Sequence, residues 1–341
     1  MIGDTDPDRT KVTALDPLVG AVLDRRYRIE FRLAAGGFGA IYRAIHVISG
    51  REVALKTLHP SLATEPDVVA RFRREAETLS HLSNPHTIKA YDFGQAPEGT
   101  LYIVMELLQG ESLYERYRAL GAVPWRRMLG ITRQICEALA EAHGLGIIHR
   151  DLKPTNIHLE RMGTDEDFVK VLDFGIAKIL HGSALDSADL TRSGQMVGTF
   201  DYMAPEQMVG SACTPQTDIY TLGLVMYEMI TGERPFGEPA SAVALLQAMI
   251  TKAPRPVSTL SDAPEEIDEI IRRCIARDPA HRYGSVDELA AVLDEVLALA
   301  GDPTKTQLTA APDGEGSTTW THQIVTPQAT LPGVMPPRRK T

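Results

Sequence analysis

Two short apolar pieces, NIHL at 156–159 and VKVLDF at 169–174, read as paired strands, and what flanks them restricts the fold. The run before the first, HRDLKPTN from His149, contains Pro154, which forbids a simple continuous helix. The second ends on Asp173, two residues before Gly175. Short loops of this kind converge Asp151, Asn156 and Asp173 on one place. Two carboxylates and a carboxamide then make an oxygen-rich site suited to a hard cation, magnesium above all and manganese as its substitute.

A second stretch adds positive charge. YRIEFRLAAGGFGAIYRAIH from Tyr27 is apolar, then glycine-dense, then apolar again. Gly36, Gly37 and Gly39 permit a tight turn whose amides can approach a phosphate chain. No G-K-[ST] follows, so this is no P-loop, and strand-type residues Ala40 to Ala44 follow where a dinucleotide fingerprint needs a helix. In VALKTL, Lys56 shares a strand face with the small Ala54 and needs a partner if that face is inward. Glu75 in the helical FRREAETL is one candidate; two solvated side chains are the alternative. Lys56 and Lys153 add positive charge for phosphoryl oxygens, and phosphoryl transfer requires such parts: a metal and a lysine to hold charge, and a carboxylate to orient an incoming hydroxyl.

The rest of the chain is compatible with one large domain or two small ones in 341 residues. A net charge of −10 disfavours nucleic acid and anionic lipid as general partners. Cys136, Cys213 and Cys274 have no metal-ligand spacing and suggest buried thiols in a reducing, cytoplasmic setting. The polar start is unlike a signal peptide, and the apolar run from Ile219 to Ile230 is far short of the ~20 residues of a span, so no membrane anchor is expected.

Along the chain, residues 1–26 read as a flexible lead-in, followed by strands through Leu58, a helix over 66–82, and strands at HTIKAYDF and TLYIVMEL. After Gly110 helices dominate: 125–145, 218–231, 241–251, 265–276 and 286–299. The Thr/Pro-rich tail 301–341 offers little apolar material and is expected to be disordered.

Taken in order, these motifs resemble those of the eukaryotic-type protein kinases, in particular the serine/threonine kinases of bacteria, from about Tyr27 to about Ala300. The resemblance implies an α+β, bilobal fold. Its N-lobe (27–107) would hold a five-stranded antiparallel sheet and one main helix, joined by a hinge (106–110) to a mostly helical C-lobe (111–300). LAAGGFGAI, with Leu33, Gly36, Gly37, Gly39 and Ile41, would cover ATP. Lys56 would contact its α- and β-phosphates and pair with Glu75. In HRDLKPTN, Asp151 would orient the substrate hydroxyl, Lys153 stabilise the moving phosphoryl group, and Asn156 bind metal beside Asp173 of DFG. Glu206 of APE should pair with Arg282, and Asp218 should brace the catalytic loop. Ala54, Met105, Glu106, Leu108 and His158 would surround adenine. Lys153 and Thr199 point to Ser and Thr hydroxyls of protein substrates.

The same resemblance implies control through Arg150, which would receive a phosphate from Thr191 or Ser193 after autophosphorylation. Threonines of the tail (Thr304, Thr306, Thr309, Thr326, Thr330) could dock phosphothreonine-binding modules or be plain linker, and the N-lobe could form a homodimer. Four positions depart from the family pattern. Ala34 replaces the first loop glycine. Phe200 stands where proline or another small residue is usual. Ser112 stands where many basophilic kinases have an acid. His158 stands where a greasy side chain usually lies under the base, and is expected to be neutral there. The rival to an active enzyme is a pseudokinase acting as a scaffold or allosteric partner.

Overall fold

The computed structural model describes residues 16–36, 39–174, 200–300, 308–311 and 319–322. Residues through Ala290 form one compact unit and Ala291–Thr341 a second. The boundary between these units falls inside the last helix.

The first unit opens with six strands: β1 (Val22–Leu23), β2 (Tyr27–Gly36), β3 (Gly39–His46), β4 (Glu52–Leu58), β5 (Ala90–Gln95) and β6 (Leu101–Glu106). They form one antiparallel sheet in the order β1-β2-β3-β4-β6-β5. Five strands were expected; the sixth is β1, which pairs with β2 ahead of the expected start at Tyr27. Leu18 and Leu23 pack against Tyr27, Ile29, Tyr42, Leu55 and Tyr102. The buried tyrosine hydroxyls need partners: Tyr42 donates to Asp16 at 3.1 Å and Tyr102 to Asp24 at 2.6 Å. These bonds from aromatic strands to the lead-in hold it against the sheet. The strand expected from His86 begins only at Ala90, and Thr87 instead makes an isolated parallel bridge to Val171.

Between β4 and β5 lies α1 (Pro66–His81), started by a proline that has no use for its missing N–H at that position. After β6 the chain turns through a hinge into β7 (Glu111–Ser112), α2 (Leu113–Leu120) and α3 (Trp125–Gly144). α2 was not foreseen, although its signal is in the sequence. Ser112 caps Glu115 N, and the Glu115 carboxylate accepts from Ser112 N, a reciprocal capping box. Ser112, the departure at an often acidic position, therefore has a structural task.

A 3-10 turn (Pro154–Asn156) leads into β8 (Ile157–Met162) and β9 (Asp165–Val171), antiparallel with β7 in a three-stranded sheet. Beyond residue 200 come α4 (Pro205–Met208), α5 (Pro215–Thr231), α6 (Ala242–Thr251), α7 (Glu265–Cys274) and α8 (Val286–Ala300). Every residue of α5 from Thr217 to Ile230 is buried, so this helix is enclosed on all sides and forms the core of the helical half. Gly223 lets α7 approach, since a Cβ there would lie 2.6 Å from that of Cys274.

In the second unit, β10 (Leu308–Ala311) and β11 (Thr319–His322) pair antiparallel, Leu308 opposite His322.

Candidate active site

β4 carries Ala54 and Lys56 on the same face, with Lys56 opposite Ile41 on β3 and Ile103 on β6. The Lys56 ammonium reaches Asp173 Oδ1 at 2.8 Å, joining residues 117 apart in the chain. Asp173 itself has φ +55, a strained left-handed conformation for a residue with a Cβ. Desolvation works against its charge. The Lys56 ammonium, with Lys153 adding to it, prevails and holds the carboxyl below the usual carboxylate range. Glu75 lies in α1, but its side chain, like Gly37, Thr191, Ser193 and Thr199, lies outside the described residues.

The catalytic-loop candidates form a second set. Lys153 Nζ donates to Asp151 Oδ2 at 2.8 Å, and Asn156 Nδ2 donates to Asp151 O at 2.9 Å and Oδ2 at 3.1 Å. With its amide nitrogen so used, Asn156 keeps its oxygen as an acceptor. Leu172 joins the two sets: its N–H donates to Asn156 O at 2.9 Å, and its carbonyl accepts from His149 Nε2 at 2.8 Å. His149 Nδ1 accepts from Asp151 N, which fixes the tautomer with the proton on Nε2. His149 is thereby a member of the loop's scaffold and not a base. Asp173 and the Asn156 oxygen are the hard, anionic or carbonyl-type donors that magnesium takes, so the donor set fits that ion.

The loop is held from below. Asp218 on α5, fully buried, accepts from His149 N and Arg150 N at 2.8 Å each. Glu206 and Arg282 pair through two bonds of 2.7 and 2.9 Å. Desolvation opposes the charge of Glu206, but the bond and charge of Arg282 outweigh it and lower the pKa. Arg150 has φ +67, and its Nε is buried with no hydrogen-bond partner among the described residues.

At the glycine-rich hairpin, Gly36 pairs with Gly39 across the tip. A Cβ at Gly36 would meet nothing within 4 Å, whereas one at Gly39 would overlap the Thr57 carbonyl of β4. Gly39 is thus required by sheet packing as well as by any bound phosphate. Leu33 is half exposed, Ile41 partly buried, Ala54 and Met105 buried.

The hinge is tied to the β8–β9 hairpin by side chains that sequence reasoning missed. Glu106 pairs with the buried Lys170 at 2.7 Å and also accepts from Lys89 N. Gln109 N donates to Glu160 at 2.6 Å. Gln109 O accepts from His158 Nε2 at 3.1 Å. The ring of His158 is therefore not free in solvent but bonded to the hinge backbone. Leu108 lies partly buried between these ties. An acid at 106 and a lysine at 170 have no local relation in the sequence, so no spacing could have paired them.

A glycine hairpin, a lysine on the neighbouring strand bonded to Asp173, and an Asp–Lys–Asn loop are the ordered features of one family, and its model, described as the protein kinase domain, matches residues 27–293. The chain belongs to the protein kinase domain family. It is 40% identical over 287 residues to the serine/threonine-protein kinase pkn3 of Myxococcus xanthus, covering 82% of this chain and 52% of that one. To the serine/threonine-protein kinase PknA of Mycobacterium tuberculosis it is 38% identical, covering 82% and 64%. The chain thus spans about half to under two thirds of the length of these relatives. Among solved structures, the kinase domain of PknI from Mycobacterium tuberculosis superposes with a TM-score of 0.61 at 26% identity, covering 82% of this chain and 98% of that chain. The kinase fold, with its sheet-rich and helical halves, is the one described above. No helix among the described residues is long and apolar enough to cross a membrane.

Proposed function

We propose that the chain is a serine/threonine protein kinase that moves the γ-phosphoryl group of ATP to Ser or Thr hydroxyls of proteins. The observation that carries this reading is the Lys56–Asp173 bond at 2.8 Å beside the bonded set Asp151, Lys153 and Asn156. Asp151 orients the incoming hydroxyl and accepts its proton as the new P–O bond forms; Lys153 balances charge on the transferred group. Lys56 holds phosphate oxygens, paired with Glu75. Asn156 and Asp173 would hold magnesium, which neutralises phosphate charge when bound. Thr199 supports the Asp151–Lys153 pair, and its segment through Phe200 meets the substrate. Leu33, Gly36, Gly37, Gly39, Ile41, Ala54 and Met105 enclose the nucleotide, and the backbone of Glu106 and Leu108 meets the base above His158.

Arg150 supports control by phosphate: a buried guanidinium nitrogen without a partner among the described residues is suited to an anion, supplied by Thr191 or Ser193 after autophosphorylation. The setting we infer is cytoplasmic, with protein substrates, phosphothreonine-binding modules on the tail and an N-lobe homodimer as partners. The deciding experiment incubates pure protein with labelled ATP and Mg²⁺ beside an Asp151→Asn control. Label on Ser or Thr of the wild type alone is expected. Equal label on both, or none on either with a protein substrate present, overturns the reading in favour of a pseudokinase.

A further inference from the structure

Asp16 lies ahead of Tyr27, the residue at which the match to the family model begins, and has no role in the reaction as described. Its own turn aims the side chain: Leu18 N donates to Oδ1 and Val19 N to the backbone carbonyl, each at 3.1 Å. Oδ2 accepts from Tyr42 OH and from Arg32 Nη1, again at 3.1 Å each. The Asp16 and Arg32 side chains are 15% and 48% exposed, while Tyr42 is buried. A half-exposed ion pair is screened and contributes little, so the Tyr42 bond carries the tie. Burial first, and then that bond, push the Tyr42 hydroxyl up to about 12, so it keeps its proton and donates.

Arg32 and Tyr42 stand directly opposite each other on β2 and β3, and the register breaks immediately beyond them, between Arg32 and Ala34. An irregularity of this kind bends the strand and disrupts the ladder locally. Past it lies the glycine-rich tip, with Ala34 opposite Ile41, Ala35 opposite Ala40 and Gly36 opposite Gly39. The two strands of the tip are not equally supported. β3 is paired with β4 as far as Gly39. β2 past Ile29 has, among the described residues, β3 as its one strand partner, and it is exposed from Phe31 to Gly36. The last backbone bonds from the lead-in to β2 are at Ile29, which accepts from Gly20 N and donates to Ala21 O, at 2.9 Å each. Gly20, at φ +86, lets the chain turn there, and Asp16 reaches the rung at which the less supported part begins.

We propose that Asp16 is a positioning residue for ATP. By holding Tyr42 and Arg32, one residue from each strand, it fixes the angle at which the glycine-rich hairpin lies over the phosphates. The proposal rests on the reading of that hairpin as the cover of the nucleotide.

The test compares Asp16→Ala, Asp16→Asn, Tyr42→Phe and the double variant Asp16→Ala with Tyr42→Phe, all in the full chain. Tyr102→Phe, which removes the bond to Asp24 at the other end of the lead-in, serves as the control for a merely structural loss. Titrations with ADP and with adenosine are read beside the KM for ATP, kcat, and hydrogen exchange of the peptide spanning 31–41. Asp16→Ala and Tyr42→Phe should each weaken ADP and raise the KM for ATP about fivefold or more, with kcat within about threefold. Adenosine, which has no phosphate under the hairpin, should bind within about twofold of wild type. The hairpin peptide should exchange about fivefold faster or more in Asp16→Ala. The double variant should be no worse than either single by more than about twofold, because both remove the same bond. Asp16→Asn keeps an acceptor oxygen for Tyr42 and, like Tyr102→Phe, should bind ADP within about twofold of wild type. Wild-type ADP binding in Asp16→Ala, an equal loss for adenosine, losses that multiply in the double variant, or a control as weak as Asp16→Ala would each overturn the proposal. If Asp16→Ala fails to fold, Tyr42→Phe decides by the same readouts, and unchanged ADP binding there overturns it. A wild type that binds no ADP would instead sink the nucleotide reading, while the exchange comparison still decides whether Asp16 holds the hairpin.

Discussion

Arg282 offers a quantitative test of what holds the helical half together. Its side chain is 0% exposed, and all five of its N–H groups are used. Nη1 bonds Glu206 and Gln216 O, Nη2 bonds Glu206 and Arg277 O, and Nε bonds Ala276 O. The guanidinium also lies 4.6 Å from the centre of the Tyr220 ring. Arg282→Met keeps the volume but leaves the Glu206 carboxylate buried with Thr217 Oγ1 as its remaining side-chain donor. Removing one partner of a buried pair costs about 3–5 kcal/mol. In a domain of this size each kcal/mol lowers Tm by roughly 2–4 °C, so a fall of roughly 10 °C is expected in a thermal melt at pH 7. Adding Glu206→Leu removes the stranded charge. The double variant should regain part of the loss but stay about 2–3 kcal/mol below wild type, since three carbonyls each lose the bond that Arg282 gave them, at about 1 kcal/mol each.

The pH dependence has a definite sign. Arg282 lowers the Glu206 pKa in the folded state against the opposing effect of desolvation. A depressed carboxyl contributes stability that is complete above its unfolded value near ~4.3 and is lost as pH falls through the folded value. The gap in Tm between wild type and Arg282→Met should therefore be widest at neutral pH and narrow below that unfolded value. A loss under about 1 kcal/mol at pH 7, or a double variant less stable than Arg282→Met alone, refutes the reasoning.

Three further outcomes are expected. Lys56→Met should lower kcat by about a hundredfold or more and raise the Asp173 pKa, seen by titrating the carboxyl signal; unchanged turnover contradicts the assignment. Gly39→Ala should destabilise the sheet, because its Cβ meets the Thr57 carbonyl, while Gly36→Ala should melt as wild type does; calorimetry of the pair checks this. His158→Leu should bind ATP as well as wild type or better, and a loss of about tenfold or more in a binding titration would defeat it.

How far the sequence carries depends on the range of the forces involved. Asp151, Lys153, Asn156 and Asp173 are legible because short loops and Pro154 confine them, and the structure brings them together with Lys56 through bonds that a strand-and-loop reading anticipates. The Glu206–Arg282 pair was reachable only through the family resemblance, since 76 residues separate its members. α2 was missed although its Ser112–Glu115 box is local, because eight residues give little periodicity to read. The β1 strand could not be read locally at all. Two residues of strand gain their place from Asp16 and Asp24, whose hydroxyl partners Tyr42 and Tyr102 lie far along the chain.

The same reasoning explains why the hinge ties escaped notice. A motif records side chains that meet a ligand, whereas these bonds run from protein to protein: Lys170 meets Glu106, and His158 meets Gln109 O. Each joins two elements whose separation is set by the core. Lys170 stands on the strand that runs into Asp173, and the neighbouring Val171 bridges Thr87. The hinge residue Glu106 is thus tied to the strand that leads into the residue bonded to Lys56. The chemistry of the site is written in its motifs, and its aim is written in buried polar pairs that only the folded chain brings into contact.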